Sequence, residues 1–294
     1  MIIIIENGRF GNQLFQFNFC LKILKEKEKI IFIGFNDLSQ FIKKNEFIFV
    51  KNNNLITRLI VKYRHFLSNK IIKKFRIMNF IIEDSNQTII KKSGFLNMFT
   101  YVDGHFERER FIKKNFFTYL KKNKLEDSAV KFIKLLKKNY YQKIFFVHIR
   151  LGDNLVGIDK ESPSVLPLAW FFKCKKILKY KYKNSKFIYV SDDLDFLKEN
   201  FKNELYIKNK DQFFNFFIMK NCDGGILSPS TFSWWAAYLS NKKKFLGPKH
   251  WHGHKKRVTF PRFIESSFIK YKPVLTKEYL TPLRKENKFY KINL

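Results

Sequence analysis

The chain has 294 residues, of which 45% are hydrophobic and 18% aromatic, so it can build one large or two modest packed domains and is not an intrinsically disordered chain. Lysine and arginine total 58 against 25 aspartate and glutamate, a net charge of +33 that points to an anionic partner. Only ten of the 58 are arginine and the lysines are scattered, which favours loose attraction to an anionic membrane surface and weighs against nucleic-acid binding.

Cysteine usage and the amino-terminal residues give expectations about location. The three cysteines (Cys20, Cys174 and Cys222) are odd in number and lack metal-ligand spacing, which indicates buried thiols in a reducing compartment. The apolar run 2–5 is too short for a signal peptide, and no stretch approaches the length of a membrane span. We therefore expect a cytoplasmic protein, peripheral at most at the inner face of a membrane.

The first predicted elements form an α/β unit. Residues 2–5 predict a buried strand, a loop containing Gly8 and Gly11 follows, and apolar residues at helical spacing from Leu14 to Leu24 predict a helix. This order is typical of a nucleotide-type α/β domain, although two glycines do not make a dinucleotide fingerprint.

The next stretch of the chain is less regular. Residues 30–35 predict a strand, and residues 36–95 give no clear pattern. A strand is predicted from residue 93 to its exit at Asp103 and Gly104, and residues 106–120 predict a helix.

The second half alternates strongly between strand and helix patterns, which predicts a second parallel α/β unit. The predicted elements are a helix at 127–139, a strand at 144–149, a helix at 166–179, a strand at 186–190, a helix at 211–219, a strand at 225–228 and a helix at 232–239. We place two α/β lobes at residues 1–140 and 141–265, followed by a tail at 266–294 that packs back on the body.

The most informative motif is VHIRLGD at residues 147–153, which follows a buried strand. Side chains alternate along a strand, so His148 and Arg150 share a face at its carboxyl end, where open α/β sheets bind ligands. Arg150 offers a planar fork of donors, His148 adds a donor that can be charged, Gly152 permits a sharp turn and Asp153 can hold the fork. The motif predicts a pyrophosphate site, with a structural salt bridge as the alternative.

Two further segments carry polar groups at predicted helix starts. In SPSTFSWWAA at residues 228–237 a strand stops and a helix begins, so Ser230 or Thr231 can cap that helix while its amides hold an anion. The two adjacent tryptophans there suggest a packed wall beside a ligand. In NGRFGNQLFQ at residues 7–16, Arg9 and Asn12 offer donors within one short loop.

Two clusters invite a metal interpretation, which we do not favour. Asp193 and Asp195 have the spacing of a divalent-cation site on a diphosphate, but an Asp-rich helix start explains them as well, and Asp192 is expected to contact the nucleotide or cap the helix. The cluster HWHGH at residues 250–254 is followed by basic residues that would repel a cation. We expect no metal.

Taken in order, the motifs at residues 7–16, 148–153, 191–193 and 230–235 resemble the bacterial α-1,2-fucosyltransferases of glycosyltransferase family 11. The resemblance covers residues 7–239. The segment GHFE at residues 104–107 also sits where that family has a Gly-aromatic-x-Gln/Glu element, and the first motif resembles the protein O-fucosyltransferases as well.

The resemblance implies an α/β, GT-B-like fold with two Rossmann-type lobes and a donor site in the cleft between them. It implies GDP-fucose as donor, inversion at the anomeric carbon and no cofactor, with a galactoside hydroxyl of a surface glycan such as O-antigen or capsule as acceptor. The first lobe would serve the acceptor and the second the nucleotide sugar. Pro229 and the segment 162–165 depart from the family pattern, which leaves the acceptor open.

Site residues also follow from the resemblance. The donor-binding residues would be His148, Arg150, Arg9, Asp192, Ser230, Thr231 and Phe232. The catalytic residues would be Arg150, Asn12 and Asp153, with Glu107 as the second candidate for the base. The alternatives are another nucleotide-sugar donor on the same scaffold, a basic nucleic-acid-binding protein, and a glycan-binding module without turnover.

Overall fold

The structure is a computed structural model, and it describes residues 1–43, 47–84, 88–140, 143–152, 165–201, 203–209, 211–251, 264 and 266–275. The chain divides into two compact units, Met1–Asn123 and Lys124–Leu294. The division falls before the position 140 chosen from the sequence, because the helix that starts at Lys124 packs within the second unit. Among the described residues, no helix combines the length and apolarity needed to cross a bilayer.

The first unit is a six-stranded sheet with helices. Its strands are β1 (Ile2–Ile5), β2 (Ile30–Ile33), β3 (Phe47–Val50), β4 (Met78–Glu83), β5 (Ile89–Lys92) and β6 (Leu96–Asp103). Its helices are α1 (Phe10–Ile23), α2 (Asn36–Ser39), α3 (Leu55–Lys62) and α4 (Arg64–Phe66), and a π-helical turn follows at Leu67–Lys73. The strand order is β3-β2-β1-β6-β4-β5, with only β5 antiparallel to its neighbour.

The order of the first sheet places a switch point beside β1. Strands β2 and β3 lie on one side of β1. The later strands β4, β5 and β6 lie on the other side, where β6 pairs with β1. In such sheets the carboxyl ends of the two strands at the reversal open a crevice for ligands. The loops after β1 and β6 therefore form the candidate ligand-binding edge of this unit.

The helix predicted at residues 106–120 is wrong. The segment contains only two short 3-10 turns, Glu109–Phe111 and Phe116–Tyr119. Phe106 has a φ of 56°, outside the right-handed helical region, and its ring stacks on Phe19 at 3.7 Å between centroids. Burial of this ring therefore overrides the apolar periodicity that favoured a helix.

The second unit is a doubly wound parallel sheet. Its strands are β7 (Lys143–Ile149), β8 (Ser185–Ser191), β9 (Leu205–Tyr206), β10 (Gly224–Ile226), β11 (Phe245–Pro248) and β12 (Ile269–Lys272). Its helices are α5 (Lys124–Tyr140), α6 (Leu168–Lys181), α7 (Leu194–Asn200), α8 (Gln212–Asn221) and α9 (Thr231–Leu239). The strand order is β12-β11-β10-β7-β8-β9 and all pairs are parallel.

This strand order is that of dinucleotide-binding sheets, with β7 and β10 on either side of the topological switch. Strand β7 lies at the centre, and its residues from Ile144 to Val147 are fully buried, as expected for a strand covered by helices on both faces. Two α/β units, one with a mostly parallel and one with a parallel sheet, confirm the predicted α/β class. Strand β12 lies in the expected tail and extends the sheet beside β11.

The three cysteines are free and buried, as predicted.

Candidate functional site

The carboxyl edge of the second sheet gathers the strongest sequence motif. Strand β7 leads into Arg150, β8 leads into Asp192, and β10 leads into Ser228. Because β7 lies between β8 and β10, these three side chains meet at the switch point. The sequence placed His148 and Arg150 at this edge, and the structure brings Asp192 and Ser228 to them.

Asp192 holds the Arg150 side chain. Arg150 Nη1 donates to Asp192 Oδ2 at 2.5 Å, and the Leu151 amide donates to Asp192 Oδ1 at 2.9 Å. The motif predicts that Asp153 orients Arg150, but Asp153 lies outside the described residues. A charged hydrogen bond of this kind fixes the plane of the guanidinium, so Arg150 is pre-oriented for an anion.

Gly152 makes room for this carboxylate. Its φ is +28°, and a Cβ atom at this position would lie 2.6 Å from Asp192 Oδ2. Any other residue would displace Asp192 or strain the backbone. The glycine in the motif therefore serves the pairing of Arg150 with Asp192 as well as the turn.

Ser228 ties the ends of β7 and β10 together. Its hydroxyl donates to the His148 carbonyl at 2.7 Å and accepts from the Arg150 amide at 3.0 Å. The side chain is almost fully buried, at 1% exposure. Sequence reasoning missed this role because it requires knowing that β10 lies next to β7.

His148 is a buried neutral group. Burial and the neighbouring Arg150 charge lower the pKa of the His148 imidazole to about 3. Burial therefore favours the neutral imidazole over the charged donor that the motif allows, and a neutral ring still donates through one nitrogen. Nδ1 is buried and has no hydrogen-bond partner in the described part of the chain, and the ring lies 6.1 Å from the Phe232 ring.

Helix α9 begins at the same edge. Of the two predicted caps, Ser230 is the N-cap residue but makes no side-chain capping bond, so that alternative is wrong. Thr231 and Phe232 form the first helical positions, where the positive end of the helix dipole lies. Trp234 and Trp235 are fully buried, and the Trp234 indole donates to Ser266 Oγ at 2.9 Å. The tryptophans thus belong to the core, and their role as a wall beside a ligand stays a prediction.

The aspartates after β8 act at a helix start. Asp193 Oδ1 accepts from the Phe196 amide at 2.9 Å and caps α7. Asp195 is 84% exposed and pairs with Lys198 at 2.7 Å. In the residues that the structure describes, no three His, Cys, Asp or Glu side chains gather as a metal site requires. His252 and His254 of the histidine cluster lie outside those residues.

The carboxyl edge of the first sheet carries the other motif. Asn12, in the first turn of α1, lies with Nδ2 3.2 Å from His105 Nδ1, in the loop after β6. Gln16 Nε2 donates to the Asn7 and Gly104 carbonyls at 3.0 Å each and so links the loops after β1 and β6. Arg9 is exposed just before α1. The two sequence elements at residues 7–16 and 104–107 are therefore neighbours.

Several carboxylates near this edge are held in unusual environments. Burial and the Asp37 charge raise the pKa of Glu6 to about 7, and Gln13 Nε2 donates to Glu6 Oε2 at 3.0 Å. Burial and the Glu83 charge raise the pKa of Glu107 to about 8. Carboxylates with pKa values near neutrality suit proton transfer at physiological pH.

Glu83 shapes the loop that carries the candidate base Glu107. Its Oε2 accepts from the amides of His105 at 3.0 Å and Phe106 at 2.5 Å. The sequence offered no signal for this contact, since Glu83 lies in a region without a clear pattern. Glu6 was also missed, although it directly precedes the first motif.

Comparison with known proteins adds a family match. The model of glycosyl transferase family 11 matches residues 1–255. An alpha-1,2-colitosyltransferase of Escherichia coli is 29% identical over 104 residues, which cover 32% of this chain and 36% of that protein. The O-antigen biosynthesis glycosyltransferase WbnK of Escherichia coli is 26% identical over 129 residues, 40% of this chain and 43% of that protein. The chain thus matches less than half the length of either relative.

Solved structures with a similar arrangement share little sequence. A NodZ alpha-1,6-fucosyltransferase crystallised with GDP covers 81% of this chain and 92% of its own, with 13% identity and a TM-score of 0.45. POFUT1 in complex with GDP-fucose covers 83% and 96%, with 13% identity and a TM-score of 0.45. Both TM-scores lie below 0.5, so these similarities decide neither fold nor function.

Proposed function

Because the chain belongs to glycosyltransferase family 11, we propose that it is an inverting, metal-independent fucosyltransferase. It moves L-fucose from GDP-fucose to a galactoside hydroxyl, in α-1,2 linkage, on a surface glycan such as O-antigen or capsule. The observation that carries the proposal is the Arg150–Asp192 pair at the switch point of the second sheet, beside the start of α9. The relatives named for O-antigen and colitose transfer support the glycan class.

The donor diphosphate is proposed to lie against Arg150 and the first turn of α9. A planar guanidinium matches phosphate oxygens, and a helix N-terminus favours an anion. Strand ends at a switch point are where α/β sheets place such ligands. We assign four further residues to the donor because they stand next to Arg150 or at the start of α9 in the sequence. They are His148, Ser230, Thr231 and Phe232.

The transfer itself is a single displacement. The acceptor oxygen attacks the anomeric carbon of fucose, the bond from that carbon to the diphosphate oxygen breaks, and GDP leaves with the electron pair. Arg150 stabilises the charge that develops on the leaving diphosphate. The guanidinium and the α9 dipole supply the positive potential that a metal ion would otherwise bring, and on this we base the metal independence.

The proton of the acceptor hydroxyl passes to a carboxylate. Asp153 and Glu107 are the two candidates, and only Glu107 lies in the described part of the chain. The raised pKa of Glu107, about 8, makes it a base of suitable strength once it is ionised. Asn12 is assigned to the transfer step and not to nucleotide binding, because it belongs to the motif of the first unit.

A second donor is favoured by one observation, the similarity to an alpha-1,2-colitosyltransferase. The Arg150 site is proposed to bind the diphosphate and does not select the sugar. Nucleotide-activated colitose therefore fits this site as well as GDP-fucose does.

The test is a donor screen with free galactosides as acceptors. GDP release and product formation are measured with GDP-fucose, GDP-mannose, nucleotide-activated colitose and UDP-sugars, and the new linkage is read by NMR. The proposal predicts product with GDP-fucose, α-configured and attached at the galactose 2-hydroxyl. Product from another donor alone, or retention of the donor configuration, contradicts it.

A further inference from the structure

A helical segment of the first unit exposes a continuous stripe of large apolar side chains. The segment runs from α3 through α4 into the π-helical turn. Its exposed residues are Leu55 at 72%, Ile56 at 70%, Leu59 at 43%, Tyr63 at 50% and Phe66 at 56%, which we call the apolar stripe. At about 100° per residue, these five positions fall within a sector of about 100° on one face of the helix.

The rest of this segment is anchored to the first unit, so the apolar stripe faces outward. Ile60, Val61 and Leu67 pack against the core around Phe80 and Tyr101. Two polar contacts fix the orientation further: Arg64 Nη2 donates to Asn7 Oδ1 at 2.6 Å, and Ser68 Oγ donates to Asp103 Oδ2 at 2.6 Å. The side chains of the apolar stripe are therefore exposed because the helix is anchored in this orientation, and not because the helix is frayed.

The charge around the apolar stripe has a single sign. Residues 51–76 contain eight lysine and arginine residues and no aspartate or glutamate. Arg58 and Lys62 are exposed, and helical geometry places them directly beside the stripe. The Lys62 ammonium lies 5.5 Å from the centroid of the Tyr63 ring, so apolar and cationic groups are interleaved.

We propose that the apolar stripe docks this protein onto an anionic phospholipid bilayer, with the helix lying in the plane of the interface. Apolar side chains would enter the boundary between headgroups and acyl chains while Arg58 and Lys62 bind lipid phosphates. This inference concerns a surface that holds none of the residues proposed for donor binding or for transfer, and it does not rest on the transfer reaction.

The charge pattern selects this occupant over others. A second copy of the chain would set two acid-free basic segments against each other, which like-charge repulsion opposes. A nucleic acid would satisfy the basic residues but leave five large apolar side chains in water. An anionic bilayer satisfies both groups at once.

The test is sedimentation of the full chain with vesicles, without nucleotide or sugar. Vesicles of phosphatidylcholine alone are compared with vesicles that also contain phosphatidylglycerol. The protein is expected to sediment with the anionic vesicles only. The double variant Leu55→Ser and Leu59→Ser should bind them about tenfold more weakly, because two apolar side chains are lost from the interface.

Matched controls separate the stripe from general surface changes. Leu135→Ser alters another leucine with high exposure, 57%, on α5 and should leave vesicle binding unchanged. Arg58→Gln with Lys62→Gln should weaken binding to anionic vesicles, while Lys131→Gln with Lys134→Gln, exposed on α5, should do so much less. All variants should keep the wild-type melting temperature and GDP-fucose turnover in vesicle-free solution.

Three results overturn the proposal. They are equal binding of the wild type to both vesicle types, wild-type vesicle binding by the Leu55→Ser, Leu59→Ser variant, and a wild-type dimer in sedimentation velocity that this variant alone abolishes. The last would show that the stripe is an interface between copies of the chain.

Discussion

Arg150 is the residue proposed to bind the donor diphosphate, and its side chain lies at the carboxyl edge of the second sheet. Its side chain is 15% exposed and is held by Asp192 at the edge of the sheet, while its backbone belongs to the loop after β7. A residue oriented in this way for an anion affects ligand binding more than folding.

Arg150→Ala should lower kcat/KM for GDP-fucose by about a hundredfold or more, because removing one preorganised donor at a developing charge costs that much. Arg150→Lys should also fail largely, since a point charge does not replace the fork. Initial rates and melting curves of both variants measure this. Asp195→Asn, at an exposed aspartate, is the control and should stay near wild type. Near-normal rates for Arg150→Lys would show that the guanidinium geometry is not needed.

Glu107 gives a prediction about pH. Its pKa is about 8 in the folded chain against about 4.5 when unfolded, so the folded state binds this proton more tightly. The stabilisation from the protonated carboxyl is full below about pH 4.5 and disappears as the pH rises through about 8. Glu107→Gln carries no charge, so its melting temperature relative to wild type should increase by about 2 °C or more between pH 5 and pH 9.

The comparison is made by differential scanning calorimetry at a series of pH values. Glu109→Gln, two residues along the same loop, is the control and should follow the wild type. A constant offset between Glu107→Gln and wild type at every pH would mean that the carboxyl of Glu107 has an ordinary pKa.

At the scale of elements, the junction of β7 and β10 depends on Ser228. Ser228→Ala leaves the His148 carbonyl and the Arg150 amide without this partner in a buried place, which costs about 1–3 kcal/mol. The melting temperature should fall by several degrees, and turnover should fall too because Arg150 shifts. Ser128→Ala, at an exposed helical site, is the matched control. Unchanged thermal stability of Ser228→Ala would mean that water or backbone movement replaces the hydroxyl.

Elements with a strong local pattern could be predicted from the sequence. Strand β7 is a continuous apolar run bounded by turn residues, and α5 is strongly amphipathic, so both were found. The failure at residues 106–120 has another origin. Phe106 is apolar but is buried against the Phe19 ring, 87 positions away in the chain. Periodicity does not record such contacts.

The candidate site was predictable to a similar extent. His148 and Arg150 share one strand face, so local alternation suffices to place them together. The pairing of Arg150 with Asp192 and the bridge through Ser228 join residues 42 and 78 positions apart, and they follow only from the strand order. The neutral state of His148 depends on burial, which the motif alone does not specify.

For the whole molecule, the net charge of +33 and the Arg150 site lead us to expect that turnover does not require a metal ion. Turnover should persist in excess EDTA within about twofold, because Arg150 and the α9 dipole are proposed to stabilise the diphosphate without an ion. Initial rates before and after chelation, with magnesium or manganese added back, measure this. A loss on chelation that manganese restores would reassign Asp193 and Asp195 from the start of α7 to a metal site.

The two units are proposed to divide the work, with nucleotide binding in the second and a contribution to transfer in the first. Asn12 belongs to Met1–Asn123 and Arg150 to Lys124–Leu294, so one substitution in each unit probes this division. Removing the guanidinium of Arg150 should remove most GDP affinity, whereas removing the amide of Asn12 should leave GDP affinity intact and lower turnover.

Calorimetric titration of GDP into the wild type, Arg150→Ala and Asn12→Ala tests this most directly, with GDP-fucose turnover measured on the same samples. The expected result is wild-type GDP affinity with greatly reduced turnover for Asn12→Ala, and loss of both for Arg150→Ala. Loss of GDP binding in Asn12→Ala as complete as in Arg150→Ala, or full GDP affinity in Arg150→Ala, would contradict the assignment of the diphosphate to the carboxyl edge of the second sheet.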